Sequence, residues 1–179
     1  VQWSDHDQRS IAGRDARRES IEVGGVRQPQ PLHHPSVWSG PVTLAGCEIY
    51  RPASPQDIAR GRYVSPEPPS VTLISMVSKS SGKSAHVGLL INGDQQVLYD
   101  PAGTFTHPDL PRRGDVHYGM TPRYVDYYER YHARFDYFVE TQKLDVTRAE
   151  ADQILANAAA HGQAMKMTCA LDVADVLKP

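Results

Sequence analysis

Residues 70–103 read SVTLISMVSKSSGKSAHVGLLINGDQQVLYDPAG, and this stretch divides into three strands. SVTLISMVS at 70–78 is a β-branched, apolar run of strand length. KSSGK is a turn, and SAHVGLLI at 84–91 is the second strand, closed by Asn92-Gly93-Asp94. QQVLYDPAG is the third, ended by Pro101 and Gly103. Short turns join antiparallel neighbours, so the run predicts a hairpin-connected meander. A hairpin centred on Gly93 brings Asp100, at the end of the third strand, near His86 at the start of the second. That meeting depends on register, because a slip of one residue turns Asp100 to the other face.

Outward from the meander, the flanks alternate between helix and strand signals. Upstream, Ser54 precedes Pro55 with Asp57 three positions on, the pattern of a capped short helix. Pro66, Pro68 and Pro69 then force an extended approach. VTLAGCEIY at 42–50 reads as a strand entering the domain. Its LAGC has the form of a lipoprotein cleavage box, but such a box follows an apolar segment and PLHHPSVWSGPVT precedes this one. Downstream, Thr104 to Met120 reads as loop, and the Arg-Gly-Asp at 113–115 within it as chance. Thr121-Pro122 opens a helix through RYVDYYERYHARF, with Tyr124 and Tyr128, and Tyr127 and Tyr131, at helical i,i+4 spacing. FDYFVETQKL alternates as a fourth strand. Thr147 to Glu150 is a capping box before a helix ending near Gly162, with Ile154, Leu155, Ala158 and Ala159 on its apolar face. In TCALDVADVL, Thr168 stands as cap, Cys169 as first helical residue, and Val173, Val176 and Leu177 as the buried side.

These elements predict an α+β domain, a small antiparallel sheet with helices packed on it, over residues 41–179. Residues 1–40 differ in composition. Gly, Pro, Gln and Arg dominate there and apolar residues are scattered, so the segment reads as a polar linker or irregular arm. Ser10 to Ile21 suggests at most a short charged helix without an apolar stripe.

Of the 179 residues 40% are hydrophobic and 22% charged, with a net charge of −2, which argues against a nucleic-acid partner. No apolar run approaches the roughly 20 residues that span a bilayer. The chain opens on Val1 rather than Met, as a processed product does. Two cysteines, Cys47 and Cys169, make no disulfide framework, and neither has a second ligand at zinc-motif spacing. VSKSSGKS at 77–84 imitates a phosphate-binding loop. That loop needs Gly where Val77 stands and a helix where AHVGLLI follows, so a hairpin turn is the better reading.

Cys169 and His86 carry the most specific chemistry. A thiol at a helix N-terminus meets the positive end of the macrodipole, which favours the thiolate, and a free amide there can bind a developing oxyanion. His86 would take the thiol proton if its strand lies against the helix that begins at Cys169. The far imidazole nitrogen needs an orienting partner. Asp100 is the candidate, with His107, on the following loop, as the alternative. His117, His132 and His161 have no matching context and read as packing or solvated residues, and His33-His34 as weak metal-ligand candidates.

The order strand–His86–strand–Asp100, followed much later by a Cys169-led helix, resembles the circularly permuted papain-like thiol hydrolases. These include permuted NlpC-type cell-wall peptidases and lecithin:retinol acyltransferase-like proteins. The resemblance covers residues 70–179 and rests on AHVGLLI and TCALDVADVL. It departs in having Thr168 where many acyltransferase-like relatives have Asn, and Asp100 where that group often has His. It implies a permuted papain-like fold and a cysteine-nucleophile hydrolase or acyltransferase with Cys169, His86 and Asp100 as catalytic residues. No metal or organic cofactor is required. A cell-envelope peptide or lipid would be the substrate, in the bacterial envelope or outside it. A papain-like binding module without turnover and a secreted toxin-like amidase are the alternatives.

Overall fold

The computed structural model describes residues 17–21 and 50–178. Seven strands form one sheet: β1 (Arg17–Ile21), β2 (Ser70–Ser78), β3 (Ser84–Asn92), β4 (Gln96–Tyr99), β5 (Arg112–Arg113), β6 (Val116–Tyr118) and β7 (Tyr137–Asp145). Their spatial order is β1-β7-β2-β3-β4-β6-β5, with every pair antiparallel. Four helices accompany the sheet: α1 (Pro55–Arg60), α2 (Pro122–His132), α3 (Arg148–His161) and α4 (Cys169–Val176). The α+β class, with an antiparallel sheet covered by helices, is therefore observed.

Strand alternation divides the core into two halves. Val87, Leu89 and Ile91 of β3, with Val97 and Tyr99 of β4, meet Ala151, Ile154 and Ala158 of α3 and Val173 and Val176 of α4. Ile74 and Leu98 on the opposite face meet Phe105, Met120, Tyr128 and Val139. α2 thus covers one side, and α3 and α4 the other. No helix of the described residues is long and apolar enough to cross a membrane.

Several local expectations are corrected. Arg17–Ile21 is an edge strand paired with β7, not the end of a helix, because β7 offers a free ladder that a helix without an apolar stripe cannot match. The stretch from Thr104 to Met120 is not all loop: it contains the β5–β6 hairpin, whose turn is Gly114-Asp115, with Gly114 at φ +61. The Arg-Gly-Asp triplet is this turn, and its aspartate is buried. Ser54 and Thr147 each form a complete capping box. Thr121 and Thr168 hold the cap positions without a side-chain capping bond. The Thr168 hydroxyl donates instead to the Met165 carbonyl (2.7 Å) and approaches Asp172 Oδ2 (2.5 Å). On α3, Ala159 is exposed and Leu155 only half-buried, so the apolar face is narrower than expected. The strand expected over 42–50 falls, save for Tyr50, outside the described residues.

Candidate active site

The hairpin register decides which side chains meet. Leu89 pairs with Tyr99 and Asn92 with Gln96, so the β3–β4 hairpin turns about Asp94. Continuing that ladder sets Asp100 opposite Gly88, diagonal to His86 and on the same face. There His86 Nε2–H donates to Asp100 Oδ1 at 2.6 Å. Asp100 is fully buried and the His86 side chain is 14% exposed. The turn after β4 closes with Gly103 N–H donating to the Asp100 carbonyl (3.1 Å), with Pro101 and Ala102 at its corners. Ala102 sits at φ +57, the left-handed corner that a Pro-X turn of this type requires.

α2 supplies the rest of the cluster. The Tyr128 hydroxyl donates to Asp100 Oδ1 at 2.7 Å. It reaches the carboxylate across Gly88, where a Cβ would stand 2.5 Å from that oxygen. One turn on, His132 stacks on His86, with ring centroids 5.4 Å apart and planes inclined by 17°. Its Nδ1–H donates to the Tyr128 carbonyl at 3.0 Å. The second Asp100 oxygen, Oδ2, is buried without a partner.

The electrostatics follow from burial and these bonds. Burial alone would raise the Asp100 pKa, but the hydrogen bond and charge of His86, then the Tyr128 hydroxyl, hold it below the usual carboxylate value. Burial first, then the Asp100 charge, pushes Tyr128 well above an ordinary phenol, so it stays a donor. Burial lowers His132, which favours the neutral ring. His117, on β6, lies against Phe105 with both ring nitrogens unpartnered, and burial pushes it down to about 4.

The sequence reading missed His132 and His117 as members of this neighbourhood. His132 carried a usable signal, its i,i+4 spacing from Tyr128. His117 carried none, because its strand was not expected.

His86 and Asp100 are brought together; Cys169 is placed apart from that contact. It is half-buried at the start of α4, against the core half opposite to the one His86 and Asp100 face. No hydrogen bond joins its sulfur to the His86 ring among the described residues. Two observations nevertheless set it at the same end of the sheet. A thiolate there would lie within electrostatic reach of Tyr128, as a minor cause of its raised pKa behind burial and Asp100. Asp115 Oδ2 accepts from the amides of both Ala102 (3.0 Å) and Ala164 (2.8 Å), tying the turn after Asp100 to the loop that leads into Cys169. Arg112 neutralises the other oxygen at 2.8 Å. His107 lies elsewhere: its Nδ1 accepts from the Asp109 amide (3.2 Å) and its ring meets Tyr124 and Tyr127 edge to face.

A cleft of about 210 Å³ opens on His86 and His132, bordered by Met76, Ala102, Thr104 and Arg134. A wider cleft, about 1070 Å³, lies between α1 and residues 106–112 and contains none of the expected site residues. Comparison with known proteins gave no match among family models, curated proteins or solved structures.

Proposed function

We propose that this chain is a cysteine-nucleophile hydrolase or acyltransferase of the permuted papain-like kind, acting on an amide or ester bond. The observation that carries the reading is the His86–Asp100 pair, 2.6 Å apart, with Asp100 buried and braced by Tyr128. A carboxylate on Nε2 fixes the tautomer and leaves Nδ1 as the basic nitrogen. In the proposed cycle the Cys169 sulfur attacks the carbonyl carbon as its proton passes to His86 Nδ1. The imidazolium then gives that proton to the leaving amine or alcohol. Water, or an acceptor nucleophile activated by the same imidazole, releases the acyl group. Asp100 holds the ring throughout, and the amide at the start of α4 receives the developing oxyanion. The order β3–β4–α4, with His86, Asp100 and Cys169 at the ends of these elements, supports the family resemblance. A peptide or acylated lipid of the bacterial envelope is the substrate class that resemblance implies, met in the envelope or outside the cell.

A second reading has one observation in its favour. The Cys169 sulfur makes no hydrogen bond to the imidazole, as in a papain-like binding module without turnover. One experiment separates the two. An acyl electrophile that reports on nucleophilic thiols should label the protein, lose Cys169→Ala entirely, and label His86→Gln about 10²-fold or more slowly. Equal labelling rates for the unmodified protein and His86→Gln would leave the module reading and remove the hydrolase.

A further inference from the structure

We propose that His86, Asp100 and His132 form a binding site for one divalent ion of the zinc class. The proposal does not rest on the thiol reading, although it shares two residues with it. One ligand atom from each of the three residues lies within 4.8 Å of both others. Four-coordinate zinc holds nitrogen and oxygen ligands at 2.0–2.1 Å, hence about 3.4 Å from one another. His86 Nε2 stands 2.6 Å from Asp100 Oδ1, and that hydrogen bond must open as the ion enters against the unpartnered Oδ2.

Three features make the cluster a ligand set rather than a packing accident. Two imidazoles and one carboxylate are the donor types that zinc takes, and they leave its fourth position open. The His132 Nδ1–H is committed to the Tyr128 carbonyl, which fixes the tautomer and leaves Nε2 with a lone pair. Asp100 retains an unpartnered oxygen while the Tyr128 hydroxyl holds the other, the outer support that a ligating carboxylate receives. The cleft of about 210 Å³ that opens on both histidines is the way in. Its one cationic border, Arg134, is held off by Tyr131, whose carbonyl takes the Nε–H (3.1 Å) and whose ring lies 5.0 Å below the guanidinium.

Binding takes the Nε2 lone pair of His86, so the ring proton shifts to Nδ1 and the imidazole stays neutral. The imidazole is then tied to the ion and no longer free to act as a base, so ion binding and the proposed thiol chemistry exclude each other.

Calorimetric titration of the full chain with zinc chloride tests this. One equivalent should bind, and magnesium and calcium should not compete, because both prefer all-oxygen sites. His132→Gln should weaken binding by more than the ~10–100-fold that loss of an outer-shell partner costs. Cys169→Ser should bind as the unmodified protein does. Binding that persists undiminished in His132→Gln overturns the proposal. Nitrogen NMR of the unmodified protein is independent of how the variants fold: the Nε2 resonances of His86 and His132 should move on zinc addition, and unmoved resonances are equally fatal. Failure of the thiol-labelling experiment leaves this result untouched.

Discussion

Gly88 is where the geometry of the candidate site can be tested most directly. A Cβ added there would stand 2.5 Å from the Tyr128 hydroxyl oxygen, with the next atom, Cζ, at 3.3 Å. In Gly88→Ala the hydroxyl must retreat by most of an ångström, stretching its 2.7 Å bond to Asp100. A hydrogen bond to a buried charge is worth about 1.5–3 kcal/mol and overpacking costs about 1–3. The smaller freedom of the unfolded chain returns about 0.4–1. The expected loss is therefore about 3 kcal/mol. Tyr128→Phe alone loses the same hydrogen bond, about 2 kcal/mol. In the double variant the atom at 2.5 Å is gone, so the overpacking is relieved and the bond is lost only once, and the total should fall short of the sum by about 4 kcal/mol. Urea unfolding of the four proteins, followed by far-ultraviolet circular dichroism, measures this coupling. Additivity to within about 0.5 kcal/mol would mean that the hydroxyl does not lie over Gly88, and the brace on Asp100 would fall with it.

Two further outcomes follow from the same neighbourhood. Gly103→Ala would bring a Cβ to 1.8 Å from Asp100 Oδ2, so the carboxylate must swing away from His86. The low-field Nε2–H proton resonance of His86 should vanish; its persistence would refute the placement of the turn. His117, pushed down to about 4 by burial, is neutral when folded and titrates near 6.5 when unfolded. The unfolded state therefore binds the extra proton, and stability complete above about pH 6.5 should drain by about 3 kcal/mol as pH falls towards 4. His132, lowered likewise, adds to the loss in the same sense, whereas Asp100, held below its ordinary value, acts only at lower pH. Urea midpoints between pH 7 and 4.5 should fall steeply for the unmodified protein and less for His117→Leu; equal slopes would remove His117 from the account.

The meander was legible because its signals are local: β-branched runs, an Asn-Gly turn, and a Pro-Ala-Gly stop. The meeting of His86 and Asp100 was legible for a subtler reason. The expected hairpin centred on Gly93 and the observed one on Asp94, a displacement of two in register, and an even displacement keeps both side chains on one face. What stayed hidden depends on tertiary pairing. β5 and β6 are two and three residues long, too short for a periodic signal. β1 is a charged segment whose only reason to be a strand is the open edge of β7. The i,i+4 spacing puts His132 on the Tyr128 side of α2, but the way α2 lies on the sheet, which brings that side to His86, is set by the whole chain. The side of the sheet that receives α4, and so the side facing Cys169, is likewise a property of the whole chain.

Asp115 has a consequence for how the molecule comes apart. One carboxylate oxygen serves as the common anchor for two segments more than sixty positions apart in the chain, the corner at Ala102 and the run-in at Ala164. Peeling the last helix from the sheet would strand a buried anion with a lost donor, so the carboxy-terminal region cannot fray by itself at low cost. The amide protons of Ala102 and Ala164 should thus exchange with solvent through a shared opening, as one cooperative unit rather than as two independent loops.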